Sequence, residues 1–335
     1  MAELCHQLDL FRIYLLGSST VPTQPPQTMT CMEVWGGNAL VDSAVSISGL
    51  DAWVYSKPYE SAEAGGDVYY LSSCATGRIT RLLVADVSGH GAAVNEIAGV
   101  LRNLMRRYVN HLDQRHFVRS MNKQFVTLSE AGCFATAVVL SFFGPTNYLT
   151  LCNAGHPTPL IYRAKTKTWG LLARKVGSGN DIADIPLGID DTTDYEQIAV
   201  QLAVDDLVIC YSDSLIESKD ESGEMFGEEG LLKIASEIQV TNPASVIPDL
   251  LAKIASRSPG NLLADDVTTL LFRPNSAGPR VGFLTRAFAP IRVLGASVRS
   301  LFPGGGPAPL PDFNLANLGG SMFGRLNRRW GKPTK

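Results

Sequence analysis

Five acids in this chain share a setting that suits metal chemistry. Asp67 follows two glycines in 65-GGD-67, and Asp86 closes an apolar run and opens the turn 86-DVSGHG-91. Asp213 ends a second apolar run, 206-DLVICYSD-213, and Asp265 and Asp266 stand just before a third, 267-VTTLLF-272. Carboxylates are seldom buried unless they are paired or bound to a cation. Acids gathered from several strand ends cannot all ionise without compensation, and no Lys or Arg stands beside any of these five in sequence. Divalent metal is the economical compensation. Oxygen-only ligand sets select Mg2+ or Mn2+ over Zn2+, which prefers His and Cys. Two such ions activate a water and polarise a phosphoryl oxygen. Gly65 and Gly66 let the backbone turn tightly before Asp67. Gly89 and Gly91 let the chain leave its strand end so that a main-chain carbonyl near Asp86 can face a metal. Taken alone, Asp86 reads better as a helix cap or a solvated loop acid. It is the set that points to metal.

The acids need elements to bring them together. Strands are expected over 44–56 with a glycine break, then over 68–74 and 79–85, joined by a turn at Thr76 and Gly77. Apolar spacing predicts helices over 92–108 and 116–129. Consecutive strands follow at 134–143, 147–154 and 159–163, the first two linked by Gly144-Pro145-Thr146. Residues 164–195 read as loops around the apolar 185–189. A buried strand covers 206–212, helices cover 228–238 and 243–256, and a last strand covers 267–272. The run of strands over 134–163 argues against a receiver-type or cyclase-like fold, because a receiver domain alternates β and α throughout. The DVSGHG turn lacks the Gly-Lys-Ser/Thr ending of a phosphate-cradling P-loop.

Of the 335 residues, 45% are hydrophobic, which supports a sizeable core and excludes a wholly disordered chain. The net charge of −3 argues against nucleic acid as a partner. From Ser276 onward nine Lys/Arg face one acid, Asp312, so the body is acidic and the tail basic. The six cysteines are scattered without a C-x-x-C pair, which fits small buried residues in a reducing compartment better than a zinc site. The short apolar run 10-LFRIYLL-16, broken by Arg12, is too short to span a bilayer. A cytoplasmic protein is expected. The segment 283–302 mixes Arg with apolar residues before a Pro/Gly-rich stretch. It can touch an anionic membrane surface or an acidic partner, and disorder is the simpler reading.

In order, these segments resemble the metal-dependent PPM-type serine/threonine phosphatases, in the bacterial branch of the stage II sporulation phosphatase and the sigma-factor regulator phosphatases. The motifs carrying the resemblance are 65-GGD-67, 86-DVSGHG-91, 153-NAGHP-157, 213-DS-214 and 265-DDVT-268. The resemblance implies an α+β fold, an αββα sandwich of two antiparallel sheets flanked by helices. It divides the chain into an N-terminal extension (1–32), a PPM-type phosphatase domain (33–274) and a Pro/Gly-rich basic tail (275–335). It implies two Mn2+ or Mg2+ ions. Asp86 would bridge them, Asp67 and the Val87 carbonyl would complete one, and Asp213 and Asp265 would hold the other, with Asp265 favoured over Asp266 as the ligand from that pair. A metal-activated water would attack phosphoserine or phosphothreonine directly, without a phospho-enzyme. His90 would give a hydrogen bond or a proton to the leaving oxygen, or simply bond the turn backbone, whereas His156 in its tight turn reads as structural. The implied partner is a phosphorylated regulatory protein of the anti-anti-sigma kind. Two departures from the family pattern stand out. The family usually has Gly where Ser214 stands, and a Cβ there would crowd the site or forbid a positive φ. The family also often has a further Asp soon after Gly-Gly-Asp, where this chain has 68-VYY-70. The Ser214 departure motivates the alternative of a phosphoprotein-binding module with impaired catalysis.

Overall fold

A computed structural model of the chain describes residues 26–29, 34–73, 77–88, 92–107, 114–128, 133–172 and 185–277. Among the described residues, thirteen strands form two sheets. The seven-stranded sheet has the order β1(Gln27–Thr28), β3(Val41–Ile47), β4(Leu50–Lys57), β13(Val267–Pro274), β12(Leu207–Tyr211), β9(Leu160–Arg163), β10(Thr168–Leu171). The six-stranded sheet has the order β11(Ile198–Gln201), β8(Tyr148–Ala154), β7(Ala135–Phe143), β6(Ile79–Val87), β5(Asp67–Ser73), β2(Val34–Gly37). Every pairing is antiparallel except β1 with β3.

Side-chain parity builds the layers. In a strand, alternate residues face opposite sides. On β6, Leu83, Ala85 and Val87 pack against helices α1(Ala92–Arg107) and α2(Gln114–Leu128), whose inward faces present Leu101, Met105, Phe117 and Phe125. Leu82 and Val84 face the other way, into a core shared with Val208, Cys210, Leu270 and Phe272 of the second sheet. The outer face of that second sheet, with Trp53, Ile209 and Leu271, is covered by α4(Gly227–Ser236) and α5(Pro243–Arg257). The result is the αββα sandwich expected. A short helix, α3(Ser214–Glu217), follows β12.

Most expected elements form. The Gly49 break becomes a hairpin turn with φ of 90° between β3 and β4. Four strands, β1, β2, β10 and β11, were not anticipated. The stretch 164–195 read as loops contains β10, and β11 lies just beyond it. Gln27–Thr28, inside the segment read as an extension, pairs with β3, and Met29 is buried in the inter-sheet core. The basic tail beyond residue 277, the short apolar run near the N-terminus and His90 lie outside the described residues. Among the described residues no helix is long and apolar enough to cross a membrane.

Candidate metal centre

The same parity places the acids. Asp67 continues the face of Tyr69 and Leu71, and Asp86 that of Val84 and Leu82, so both point between the sheets. They are direct partners in the β5–β6 ladder, which brings their Cβ atoms to ~5 Å. Across β6 the next partner in the row is Thr136. Facing this row from the other sheet are Ser212, just past the end of β12, and Thr268, which bonds Ser56 at 2.9 Å and donates its N–H to Ser212 Oγ at 2.9 Å. The inter-sheet layer is apolar along its length and turns polar, then acidic, at this one end.

Asp213 leaves β12 in helical conformation and starts α3, its carbonyl accepting from the Ile216 and Glu217 amides at 2.8 and 2.9 Å. Ser214 is therefore a helical residue. It does not have positive φ, and its hydroxyl lies 3.1 Å from that of Ser212. The backbone at 214 needs no glycine, so the objection from a positive φ does not apply.

Asp266 behaves differently from its neighbour. Its carboxylate accepts from the amides of Tyr59 at 2.6 Å, Gly66 at 2.5 Å and Asp67 at 3.3 Å. It thereby pins the crossing from β4 to β5. Gly65 lies so close that an added Cβ would come 2.4 Å from Asp266 Oδ2, so the glycine is required by this contact. Gly66 leaves space on the other side. A Cβ there would sit 3.1 Å from the Val87 carbonyl oxygen and 3.4 Å from Asp86 Oδ1.

Charge is concentrated and uncompensated. Among the described residues none of the five acids forms an ion pair with Lys or Arg. Burial, then the neighbouring Asp86, pushes the Asp67 carboxyl well above the ordinary range, and the hydroxyls of Ser212 and Thr268 offset only part of this. Burial, then Asp213, Asp265, Asp266 and Glu217, pushes Asp86 up to about 7. Asp213 is raised by burial, then by Glu217 and Asp265. Glu217, one helical turn beyond Asp213, is an acid that the sequence reading missed.

The donors fit hard divalent ions by type. They are carboxylate oxygens and a carbonyl, and Asp67 Oδ2 is buried without a hydrogen-bond partner. Among the described residues no three acidic, His or Cys side chains converge closely enough to grip an ion as they stand. His156 is buried at 4% exposure and its Nδ1 lies 2.9 Å from Thr136 Oγ1.

A four-layer sandwich with acids at one end of the inter-sheet layer is the architecture of PP2C-type phosphatase domains, and solved structures of that class share it. The RsbU and RsbW domains of Rv1364c from Mycobacterium tuberculosis superpose with a TM-score of 0.54 at 22% identity, covering 71% of this chain and 63% of that one. The PP2C phosphatase domain of SpoIIE from Bacillus subtilis, with a fragment of its regulatory domain, gives 0.54 at 16% identity, covering 73% and 64%. The SiaA-PP2C domain of Pseudomonas aeruginosa gives 0.53 at 17% identity, covering 66% and 84%. The chain thus spans less than two thirds of the first two proteins' lengths. A family model for Stage II sporulation protein E (SpoIIE) matches residues 76–275, more than half of the chain. The chain belongs to the stage II sporulation protein E family of PP2C-type phosphatase domains.

Proposed function

We propose that the chain is a Mn2+- or Mg2+-dependent phosphatase acting on phosphoserine or phosphothreonine of a regulatory protein. The observation carrying this is the ladder pair Asp67–Asp86, buried, uncompensated and facing the strand ends that hold Asp213 and Asp265. Two ions would be held by Asp86 with Asp67 and the Val87 carbonyl on one side, and by Asp213 and Asp265 on the other. When bound they supply Lewis acidity to water and to a phosphoryl oxygen. Asp266 holds the Gly65–Asp67 turn through its three amide contacts and so aims Asp67. Thr136, Ser212 and Thr268 line the floor with hydroxyls. His90, outside the described residues, would give a hydrogen bond or a proton to the leaving oxygen. As substrate we infer a phosphorylated signalling protein of the anti-anti-sigma kind, met in the cytoplasm; membership of the stage II sporulation protein E family supports a regulatory phosphoprotein.

The alternative of a binding module with impaired catalysis rested on a Cβ at Ser214 that would crowd the site or forbid a positive φ, and the helical conformation there answers the second of these. The test is hydrolysis of p-nitrophenyl phosphate and of a phosphoserine peptide by the full chain with Mn2+, Mg2+ and EDTA. Metal-dependent turnover that Asp86→Asn abolishes is expected. Turnover that persists in EDTA, or none with any divalent ion, contradicts the proposal.

A further inference from the structure

The two halves of the acid cluster sit on different sheets. The spacing between Asp86 and Asp213 is therefore set by whatever fixes the sheets against each other at this end. Residues 155–159 make one crossing there, from β8 in the six-stranded sheet to β9 in the seven-stranded one. That crossing is tied to both sides. Asn153 closes it, its Oδ1 accepting from the His156 N–H at 2.8 Å and its Nδ2 donating to the His156 carbonyl at 2.6 Å. On the far side the Tyr211 hydroxyl donates to the Thr158 carbonyl at 2.7 Å, and Glu228 accepts from the Thr158 N–H at 2.6 Å.

The His156 ring lies between these anchors. Its Nδ1 meets Thr136 Oγ1, and Thr136 is the direct ladder partner of Asp86. Its Nε2 makes no hydrogen bond of ordinary geometry, and the backbone of Tyr211, two residues before Asp213, faces the ring. Burial keeps the imidazole neutral, its pKa pushed down to about 3. A buried polar atom without a partner costs stability, whereas an apolar ring in the same space would not. The contact that this cost maintains is the one with Thr136.

We propose that His156, acting through Thr136, is a positioning residue that holds the Asp86 carboxylate in place relative to the acids of the opposite sheet. The inference rests on the metal-centre reading above. Thr136→Val removes only the hydroxyl and keeps a β-branched side chain in the strand. Mn2+ affinity of the full chain is measured by calorimetry, well below the melting temperature, with kcat and KM for p-nitrophenyl phosphate alongside. Thr136→Val and His156→Leu should each weaken Mn2+ binding about tenfold, the scale of lost outer-shell support, and lower kcat at unchanged KM. The double variant should be no weaker than either single one, and Thr136→Ser should restore wild-type binding. Should His156→Leu fail to fold, the Thr136 pair decides alone. Wild-type Mn2+ binding by Thr136→Val, even with a lowered melting temperature, overturns the inference and leaves the metal centre standing. A wild-type chain that binds no Mn2+ overturns the metal-centre reading and this inference together.

Discussion

The same strands carry acids at both ends of the sandwich, and the two ends treat them in opposite ways. β12 is preceded by Asp206 and followed by Asp213. β13 begins after Asp266 and ends near Arg273, which reaches back to Asp51 on β4. At the Asp206 end every buried acid is answered. Asp206 accepts from Arg163 at 2.8 Å and from the amides of Ala164 and Ala203 at 2.9 and 3.0 Å. Asp51 accepts from Ser46, Asn275 and Arg273. At the Asp213 end Asp67 and Asp86 are left without a cation, and Asp67 Oδ2 lacks any partner. One end spends its carboxylates on stability. The other stores charge repulsion that is relieved by taking up protons or by binding a cation, a common trade between function and stability.

The largest expected effect separates the ends by activity. Asp213→Asn should lower metal-dependent turnover more than ~100-fold, beyond the range typical of outer-shell partners, while the metal-free chain melts no lower than wild type. An Asp213→Asn chain with near-normal turnover would break the contrast.

The second prediction concerns pH. In the metal-free chain the Asp86 pKa is raised from 3.8 to about 7, and Asp67 and Asp213 are raised as well. The folded chain therefore holds protons that the unfolded chain has released. Stability from these groups is fully present below about pH 4 and is lost as pH rises through about 7. The stabilisation conferred by Mn2+ should consequently grow from pH 5 to pH 8, by an amount on the order of a few kcal/mol. Differential scanning calorimetry with and without metal at each pH isolates the site from other titrating groups. A metal shift that shrinks with rising pH would contradict this reading.

The third prediction reverses the outcome at the opposite end. Asp206→Ala strips partners from Arg163 and two backbone amides, and should cost about 3–5 kcal/mol, since a hydrogen bond to a carboxylate is worth roughly 1.5–3 kcal/mol and Arg163 turns to water. Urea unfolding measures this, and kcat at low temperature should be unchanged. The smallest effect belongs to Glu217. It is exposed, so its charge is screened, and Glu217→Gln should change kcat/KM by only about two- to threefold.

The acids were legible in the sequence because each ends or precedes an apolar run, and strand parity then put Asp67 and Asp86 on one face. The αββα layering came from the family resemblance, whereas the consecutive strands of 134–163 by themselves argued only against an alternating β and α fold. What stayed hidden had local causes. β10 and β11 are four-residue edge strands with half-exposed side chains, too short to stand out even though Ile198 and Val200 of β11 alternate toward the inter-sheet core. Glu217 was missed because the run through Asp213 was read as a strand end, whereas a helical turn brings residue 217 back beside it. Asp266 was grouped with the metal ligands. Its contacts to Tyr59, Gly66 and Asp67 join positions some 200 residues apart, and no local pattern announces them. The concern over Ser214 came from a residue type expected there, and the helical backbone answers the part of it that concerned a positive φ.

The central claim is that the acidic end of the sandwich is built to be completed by divalent cations. Calorimetric titration of the full chain with Mn2+ at pH 8, for wild type and Asp86→Asn, tests it most directly. Saturable binding of two ions by the wild type, lost or reduced to weak residual binding in Asp86→Asn, is the predicted result. No saturable binding by the wild type, or equal binding by both proteins, would contradict it.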